Sequence, residues 1–441
     1  MQIGNYQITR VQIIMAGAGV VIILLLASVF LGVLPGSRPA KPMRATLEFW
    51  GLFDSLSVWQ PVFEAYRKNN DNVFFNYIQM NPGTYEQDLI EALASGKGPD
   101  IIMFRSSWLA RHGNKISFLP ETLMSLRNFQ ETFPDVATID FVSQNKIYAL
   151  PVWTDVLAMF YNKELFNAAG IATPPKTWDD FIKVVQKLSS QDKSGNLTKS
   201  AVAIGTAGNV NNAADILSLL MIQAGAKMIS DDGEEAAFDE TIIVGGSTHR
   251  PGESALRFYT DFASSKSNVY TWNDKFPDSF DAFTSGRTAI IFDYALNLPR
   301  LKQKTPNLRL GIASVPQFAD AAKAVNYADF WGYSVPLASK NPEAAWNFLV
   351  FLTGKDINKY FSEAVLRPAS RRDVLAEEQA SPDLGVFAEA VLSATNWYRV
   401  DPAAVDKIFK DMINAVVLGN VKPAGALSDA EARVSSLMKQ R

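Results

Sequence analysis

One uncharged apolar segment constrains this chain more than any other feature. The segment Val11–Leu34 runs for 24 residues without a charged side chain. As an α-helix it would be about 36 Å long, enough to cross a hydrocarbon core of about 30 Å. A cleaved signal peptide is the alternative, although its apolar region is normally only about 7–15 residues long. We therefore predict a transmembrane anchor over 11–34, preceded by a tail over 1–10 and followed by a linker over 35–44.

The charges beside this segment favour a cytoplasmic location for the residues that follow it. Arg10 precedes the segment, whereas Arg38, Lys41 and Arg44 follow it. The positive-inside rule alone would therefore keep the later residues in the cytoplasm. A tail of ten residues is too short to fold, so the folded part begins near residue 45. The proline-containing linker would hold that part away from the membrane.

Composition excludes several classes of protein. The chain has 441 residues, which suggests two or three folded units of about 150 residues each. Its 42 Lys and Arg nearly balance 45 Asp and Glu, so it lacks the basic surface that nucleic acid requires. Without cysteine it can form no disulfide and no cysteine-based metal or nucleophile site. His112 and His249 stand in polar surroundings, and we expect both to be exposed.

Strand and helix patterns alternate after the linker. The β-rich runs Ala45–Trp50, Val73–Gln79 and Ile101–Phe104 enclose two segments of helical spacing, Val58–Lys68 and Tyr85–Ser95. This order predicts a parallel or mixed sheet covered by helices. The second half of the chain repeats the pattern without repeating the sequence. We therefore predict an α/β protein with two similar lobes.

Two threonines stand where helices should begin. Thr84 precedes the helical pattern Tyr85–Ser95, and Thr177 precedes another that starts at Trp178. A threonine hydroxyl at this position can accept a hydrogen bond from a backbone N–H of the first turn. We predict that both residues cap their helices.

Aspartates at predicted strand ends or in loops leave a catalytic alternative open. They are Asp54, Asp155, Asp293 and Asp329. A pair of carboxylates suffices for glycoside hydrolysis, so a secreted hydrolase remains an alternative to a binding protein. The turns at 192–196 and 231–235 match a calcium loop incompletely, and no glycine-rich phosphate motif is present, so we predict no metal or cofactor.

Tryptophans in loops point to a carbohydrate ligand. A sugar ring offers an apolar C–H face to a flat aromatic side chain and a rim of hydroxyls to Asp, Asn and Arg. The tryptophans at predicted strand ends or in loops are Trp50, Trp108, Trp153, Trp331 and Trp397. By contrast, Trp59, Trp178 and Trp346 lie on predicted helices among apolar neighbours, and we assign them to the core.

A series of short motifs, in consistent order, resembles the extracellular solute-binding proteins of ABC importers. The resemblance is greatest to the carbohydrate-binding group that includes maltose-binding protein. The motifs are GPDII at 98–102, YALP at 148–151, FYNKELF at 160–166, PPKTWDDF at 174–181, FTSGRTAII at 283–291, SKNPEAAW at 339–346 and LRPASRRDVL at 366–375.

The resemblance implies a type II-like periplasmic-binding-protein fold. Each of two lobes would be a mixed sheet flanked by helices, with the ligand in the cleft and hinge closure around it. The chain would cross between the lobes near Pro151–Asp155 and Ala328–Gly332. The N-terminal lobe would comprise 45–151 plus 332–380, and the C-terminal lobe 155–327 plus 381–441.

The resemblance also implies which residues face the cleft. The N-terminal lobe would contribute Trp50, Asp54, Tyr85, Ser106 and Trp108; the crossings would contribute Trp153, Asp155 and Trp331; and the C-terminal lobe would contribute Asp293, Tyr294 and Trp397. These residues would bind a ligand by stacking and hydrogen bonding, and no catalytic residue is implied.

These expectations describe a membrane-tethered binding protein rather than an enzyme. Its globular part would lie outside the cytoplasm as a monomer, capture a saccharide and deliver it to the membrane subunits of an ABC permease. Two further alternatives stay open besides the hydrolase. One is a binding protein for a peptide or a polyamine, and the other is the sensor domain of a signalling complex that would need a separate output partner.

Overall fold

The computed structural model describes residues 44–439, together with Gln2–Ile3, Tyr6–Gln7, Met15 and Ser28. Apart from Met15 and Ser28, the predicted anchor over 11–34 lies outside the described residues and stays a prediction. Among the described residues, no helix is both long enough and apolar enough to cross a bilayer.

Strands and helices alternate through most of the chain. The strands are Gln2–Ile3, Tyr6–Gln7, Ala45–Gly51, Val73–Gln79, Ile101–Arg105, Val142–Ser143, Lys146–Ile147, Leu150–Pro151, Ala158–Asn162, Ser190–Gln191, Leu197–Val202, Ile242–Val244, Ser247–His249, Thr288–Asp293, Leu310–Ala313, Asn326–Tyr327, Trp331–Ser334 and Ala394–Thr395. The α-helices are Leu56–Arg67, Tyr85–Ala94, Leu109–His112, Leu126–Thr132, Asp135–Phe141, Lys163–Ala168, Trp178–Leu188, Ala213–Gln223, Pro251–Asp261, Ser279–Thr284, Leu298–Lys304, Pro342–Leu352, Lys355–Val365, Arg372–Glu378, Gly385–Val391, Pro402–Val417 and Pro423–Lys439. Short 3₁₀ turns span Ser106–Trp108, Gly113–Lys115 and Ala295–Asn297.

The N-terminal lobe is built on a five-stranded mixed sheet. In spatial order its strands are Val73–Gln79, Ala45–Gly51, Ile101–Arg105, Trp331–Ser334 and Leu150–Pro151. The first three run parallel, as the strand–helix alternation predicted, and Trp331–Ser334 is antiparallel to both of its neighbours. The strand Trp331–Ser334 returns from much later in the chain, so both ends of this lobe's sequence contribute to one sheet.

The C-terminal lobe is built on a second five-stranded mixed sheet. Its strands, in spatial order, are Ser190–Gln191, Leu197–Val202, Thr288–Asp293, Ala158–Asn162 and Leu310–Ala313. Every residue of Thr288–Asp293 is buried, which fits its apolar sequence and its central place in the sheet. Two helices at the chain's end, Pro402–Val417 and Pro423–Lys439, pack against Pro251–Asp261 of the same lobe. The two-lobed α/β architecture is thereby confirmed, while the predicted limits of each lobe stay a prediction.

Backbone contacts link Trp153 and Val156 to parts of the chain that are distant in sequence. Trp153 forms an isolated antiparallel bridge with Ala369, and Val156 forms another with Ala328. The short strand Asn326–Tyr327 runs parallel to Ala394–Thr395. These contacts bring distant parts of the chain to the base of the cleft.

The two predicted helix caps differ. Thr177 accepts a hydrogen bond from the backbone N–H of Asp180 at 3.2 Å, so the prediction for helix Trp178–Leu188 is confirmed. Thr84 occupies the N-cap position, but its side chain caps no backbone group there. Its hydroxyl donates instead to the Asp88 carboxylate at 2.7 Å, and the capping prediction for Thr84 is wrong.

The helix tryptophans belong to the core, as predicted. Trp59 is fully buried, and its ring lies 4.8 Å from that of Phe49 in an edge-on arrangement. Trp178 and Trp346 are also buried. Aromatic side chains of this size supply much of the apolar area that stabilises each lobe.

Candidate functional site

A short helical run lines two cavities, each of which also includes residues of the C-terminal lobe. The run covers residues 106–115 and follows the buried strand Ile101–Arg105. One face, with Trp108, Arg111 and Lys115, lines a cavity of about 860 Å³ whose opposite side includes Pro402 and Ala403. The other face lines a cavity of about 450 Å³ that Trp397 and Tyr398 close from the C-terminal lobe. We call these the larger and the smaller cavity.

Three of the predicted site residues form an aromatic wall of the larger cavity. Tyr85 and Trp108 stack at a centroid distance of 5.9 Å with 14° between their planes. Trp331 meets Trp108 edge-on at 5.2 Å and is half-buried, whereas the other two are buried. The Tyr85 hydroxyl donates to the Met103 carbonyl at 2.9 Å, which fixes its ring. Of these three side chains, Trp331 exposes the most surface for a ligand to cover.

Charged side chains form the rim beside this wall. Glu86 Oε1 accepts from His112 Nε2 at 2.8 Å and lies 3.1 Å from Arg111 Nη1. Arg111 Nη1 also lies 3.2 Å from Asp401 Oδ2, so this guanidinium joins the two lobes. The bond from His112, followed by the nearby arginine charge, lowers the pKa of Glu86 despite its partial burial.

His112 corrects a prediction from the sequence. We expected an exposed side chain, but His112 is buried, with its ring edge-on to Trp108 at 5.2 Å. The polar neighbours in the sequence misled the prediction, because the helical run turns the imidazole towards the aromatic wall. His249 is exposed, as predicted.

Two arginine–aspartate ion pairs differ in burial: Arg399–Asp215 is buried, whereas Arg105–Asp329 is partly exposed and Arg105 lines the larger cavity. Arg105 donates to both carboxylate oxygens of Asp329, at 3.1 and 2.6 Å. Arg399 donates to Asp215 at 3.0 Å, and the Tyr294 hydroxyl donates to the other oxygen of Asp215 at 2.9 Å. Burial opposes the ionisation of Asp329, but the attraction of Arg105 outweighs it and lowers its pKa. Burial dominates at Asp215 and raises its pKa.

Asp155 and Asp293 end up close to the same turn of the C-terminal lobe. Asp155 accepts from the backbone N–H groups of Val156, Ala295 and Leu296 at 2.8–2.9 Å. Asp293 precedes this turn and accepts from the side-chain amides of Asn212 and Asn297, at 3.1 and 2.8 Å. Burial raises the pKa of both carboxyl groups, that of Asp155 to about 7. These hydrogen bonds hold the turn Ala295–Asn297 in place.

Two more predicted residues line the smaller cavity. They are Ser106, from the N-terminal lobe, and Trp397, from the C-terminal lobe. The Trp397 indole donates to Ser218 at 3.1 Å and packs on Phe409 with centroids 5.7 Å apart. Trp397 is thus held by its own lobe while one part of it faces the cavity.

The remaining predicted residues lie in the N-terminal lobe away from these cavities. Trp50 donates its indole N–H to Glu48 at 2.9 Å. Asp54 forms a buried bidentate ion pair with Arg367 at 2.9 and 2.8 Å. Trp153 stacks on Phe361 at 5.8 Å and is almost fully buried. In this arrangement the three side chains support the lobe rather than face the cleft.

Sequence reasoning missed the arginines of the cleft. Arg105 ends a strand whose other residues are all buried, which is an unusual place for a charge and could have drawn attention. Arg399 directly follows Trp397 and Tyr398 in the sequence, but its partner Asp215 lies 184 positions away. Among the described residues, no group of three or more His, Cys, Asp or Glu is placed to hold a metal ion.

Comparison with known proteins agrees with this architecture. A binding protein of Brucella abortus (strain 2308) is 23% identical over 430 residues, covering 94% of this chain and 98% of that protein. A protein of Sinorhizobium fredii (strain NBRC 101917 / NGR234), described as an amino-acid ABC transporter periplasmic-binding protein, is 22% identical over 435 residues, covering 92% of each. The solved structure of the sugar-binding protein MalE from Xanthomonas citri has 16% identity and a TM-score of 0.73, covering 90% of this chain and 98% of that chain.

The structural likeness concerns the fold, and a family model carries the assignment. The family described as bacterial extracellular solute-binding protein matches residues 51–359, which is more than half of the chain. The chain therefore belongs to the bacterial extracellular solute-binding protein family.

Proposed function

We propose that this protein captures a carbohydrate in the cleft between its lobes and delivers it to an ABC permease. The observation that carries the proposal is the aromatic wall of Tyr85, Trp108 and Trp331, set beside polar side chains in a cavity of about 860 Å³. Ligand pockets typically measure about 300–1,000 Å³. An exposed indole edge next to carboxylate and guanidinium groups suits a ring with apolar faces and a hydroxyl rim.

The membrane tether belongs to the same proposal. The 24-residue uncharged segment Val11–Leu34 has the length of a single membrane-spanning helix. Such an anchor would keep an extracytoplasmic binding protein close to its permease, which raises the effective concentration for delivery. We propose a monomer, with the ligand bound through the lobes of one chain.

Related proteins support a solute-binding function, but their descriptions name different ligands. The Xanthomonas citri structure is that of a sugar-binding protein, whereas the Sinorhizobium fredii relative is described as an amino-acid ABC transporter periplasmic-binding protein. We favour sugar because the wall of the larger cavity is aromatic. An amino acid, a peptide or a polyamine is the runner-up class.

Thermal unfolding of residues 45–441 against a ligand panel tests the class directly. The panel would contain mono- and oligosaccharides, amino acids, polyamines and short peptides. A ligand present at about 100 times its dissociation constant adds about 2.7 kcal/mol of stability, which raises the melting temperature by a few degrees. A shift with saccharides alone supports the proposal, and a shift with amino acids or peptides alone contradicts it.

Two tryptophan variants then locate the ligand. Trp331→Ala should weaken saccharide binding by about 1–3 kcal/mol in calorimetry, because it removes a stacking surface, with little change in melting temperature. Trp397→Ala should weaken saccharide binding as well. In addition, it should lower the free energy of unfolding by about 3–5 kcal/mol, because that indole is buried and hydrogen-bonded to Ser218. Normal binding by Trp331→Ala would place the ligand away from the aromatic wall.

No catalytic step belongs to this proposal. Asp155 and Asp293 accept hydrogen bonds from groups of their own lobe, as expected of carboxylates that orient a site. Assays of the wild-type protein with aryl glycosides should therefore show no turnover. Turnover that is lost in Asp155→Asn or Asp293→Asn would restore the hydrolase alternative.

A further inference from the structure

The smaller cavity contains one charged side chain, Asp140, among its lining residues. Asp140 lies in the helix Asp135–Phe141 of the N-terminal lobe and is 8% exposed. Its carboxylate accepts from the side-chain amide of Asn396 in the C-terminal lobe at 2.7 Å. The carboxylate therefore lies at the junction of both lobes and the cavity.

Asp140 has fewer partners than the other carboxylates buried near the cleft. Asp329 and Asp215 each pair with an arginine, and Asp155 accepts from three backbone N–H groups. Within residues 44–439, Asp140 forms no ion pair, and its hydrogen-bond donor is a neutral amide. Arg399 is the nearby cation whose charge favours the ionised form, but it is engaged with Asp215.

A buried carboxylate in this position is costly to ionise. Burial outweighs the bond from Asn396 and raises the pKa of Asp140 well above its usual range. Removing an ion from water costs several kcal/mol unless an opposite charge or several donors replace the lost hydration. A ligand group that carries a positive charge and several N–H donors would meet both needs.

Other features of the smaller cavity suit a single polar ring. Its volume of about 450 Å³ falls within the range of ligand pockets. The Ser107 hydroxyl is buried there and has no hydrogen-bond partner among the described residues. Trp397 supplies an aromatic surface from the opposite lobe. Gln144, also in the lining, adopts a left-handed conformation with φ of 49°, which is uncommon outside glycine.

We propose that the smaller cavity binds the ammonium group of an amino sugar, with Asp140 as its counter-ion. The ammonium would donate to the Asp140 carboxylate, a ring hydroxyl would bond to Ser107, and the ring would contact Trp397. Because Asp140 already contacts Asn396 of the other lobe, a cation held there strengthens the closed arrangement. This inference rests on the proposed function and names the class of the sugar unit that the smaller cavity would hold, beside the aromatic wall of the larger one.

Isothermal titration calorimetry with matched sugars tests the inference on the wild-type protein. The probes are glucosamine, galactosamine, glucose and N-acetylglucosamine, in which the last two lack the charged amine. Hydrogen bonds to charged groups stabilise a complex more than hydrogen bonds between neutral groups do. We therefore expect the amino sugars to bind about 10–100-fold more tightly than their neutral counterparts. Equal or tighter binding of the neutral sugars overturns the inference and leaves the carbohydrate proposal standing.

Two variants test whether Asp140 causes the preference for amino sugars. Asp140→Asn keeps the shape of the side chain and should bring the ratio of amino-sugar affinity to neutral-sugar affinity down to about one. Asp135→Asn, at the exposed start of the same helix, is the matched control and should keep the preference. An unchanged preference in Asp140→Asn overturns the role of this residue. The wild-type comparison stands even if that variant folds poorly.

An ammonium group could also come from a polyamine or an amino acid, so the panel includes spermidine and lysine. Binding of either without any sugar, lost in Asp140→Asn, would support the ammonium contact and contradict the carbohydrate function. Silence of every probe would overturn the ammonium contact, while the carbohydrate proposal would still be decided by the oligosaccharides of the unfolding panel. Binding of neutral sugars alone overturns only the ammonium contact.

Discussion

At the scale of single residues, Arg367 holds an almost fully buried charge in the N-terminal lobe. Its side chain and that of Asp54 are 4% and 6% exposed, and the pair shares two hydrogen bonds. The guanidinium also lies 4.8 Å from the Trp153 ring centroid. Removing one partner of such a pair leaves a buried charge without compensation, which is far more costly than removing both.

We therefore expect Arg367→Met to lower the free energy of unfolding by about 3–5 kcal/mol in urea denaturation. The double variant with Asp54→Asn should recover part of that loss, because no uncompensated charge remains. Arg127→Met is the control, since Arg127 is 85% exposed in its pair with Glu131 and should change stability by less than about 1 kcal/mol. A loss in Arg367→Met as small as that of the control would contradict the argument.

Asp155 should make stability depend on pH near neutrality. Burial raises its pKa from 3.8 to about 7, and its backbone donors lower the pKa by less. Between about pH 4 and pH 7 the folded protein therefore holds this proton while the unfolded chain has released it. The contribution of Asp155 to stability thus falls as the pH rises and levels off above about pH 7.

The variant Asp155→Asn removes this titration. The stability of the wild type relative to the variant should fall by at most about 3 kcal/mol between pH 5 and pH 8, with little further change above pH 8. Chemical denaturation of both proteins at several pH values measures this difference. A difference that is flat or that rises with pH would show that the backbone donors, not burial, dominate at Asp155.

At the scale of secondary-structure elements, two threonines show why local sequence predicts helix ends only in part. Thr177 and Thr84 both precede a helix and both have an acidic residue within its first turn. Thr177 has extended backbone angles, which direct its hydroxyl to the N–H of Asp180. Thr84 has helical angles instead, and its hydroxyl reaches Asp88. The backbone conformation that decides between these outcomes depends on the preceding turn rather than on residue type.

This contrast predicts unequal effects of the same substitution. Thr177→Ala should lower stability by about 1 kcal/mol, because the Asp180 N–H loses its acceptor. Thr84→Ala should cost less than about 0.5 kcal/mol, since it removes an exposed contact between side chains. Thermal or urea unfolding of the two variants measures both values. Equal losses would mean that the Thr177 hydrogen bond contributes little.

At the scale of the whole molecule, the sequence predicts the features that neighbouring residues determine. It does not predict contacts between residues that are far apart in the sequence. Strand Val73–Gln79 has the bounds that its local pattern indicated, because periodicity is a property of neighbouring residues. The ion pair Arg105–Asp329 joins positions 224 residues apart, and no local pattern relates them. Trp153 carried the same loop signal as Trp331, yet helix Lys355–Val365 covers it through Phe361. Local patterns thus predicted the strands but not which tryptophans a helix from a distant part of the sequence would cover.

Two polar contacts link residues of the N-terminal lobe to residues of the C-terminal lobe. Arg111 of the N-terminal lobe reaches Asp401 of the C-terminal lobe at 3.2 Å, and Asn396 reaches Asp140 at 2.7 Å. Arg111 and Asp401 are 40% and 31% exposed, so their attraction is screened by solvent and amounts to about 1 kcal/mol or less. In the proposed hinge closure, a contribution of that size would shift the balance between open and closed states up to about fivefold.

Arg111→Gln should therefore lower the population of the closed state and weaken all ligands to a similar extent, up to about fivefold. Because the chain has no cysteine, Lys97→Cys and Lys193→Cys would place one fluorophore on each lobe for distance measurements by energy transfer. Raising the salt to 1 M, where screening acts over about 3 Å, should open the wild type towards the behaviour of the variant. Arg127→Gln, in an ion pair within one helix, should behave like the wild type. If Arg111→Gln instead weakened one sugar far more than another, Arg111 would contact the ligand itself, and closure would depend on other contacts between the lobes.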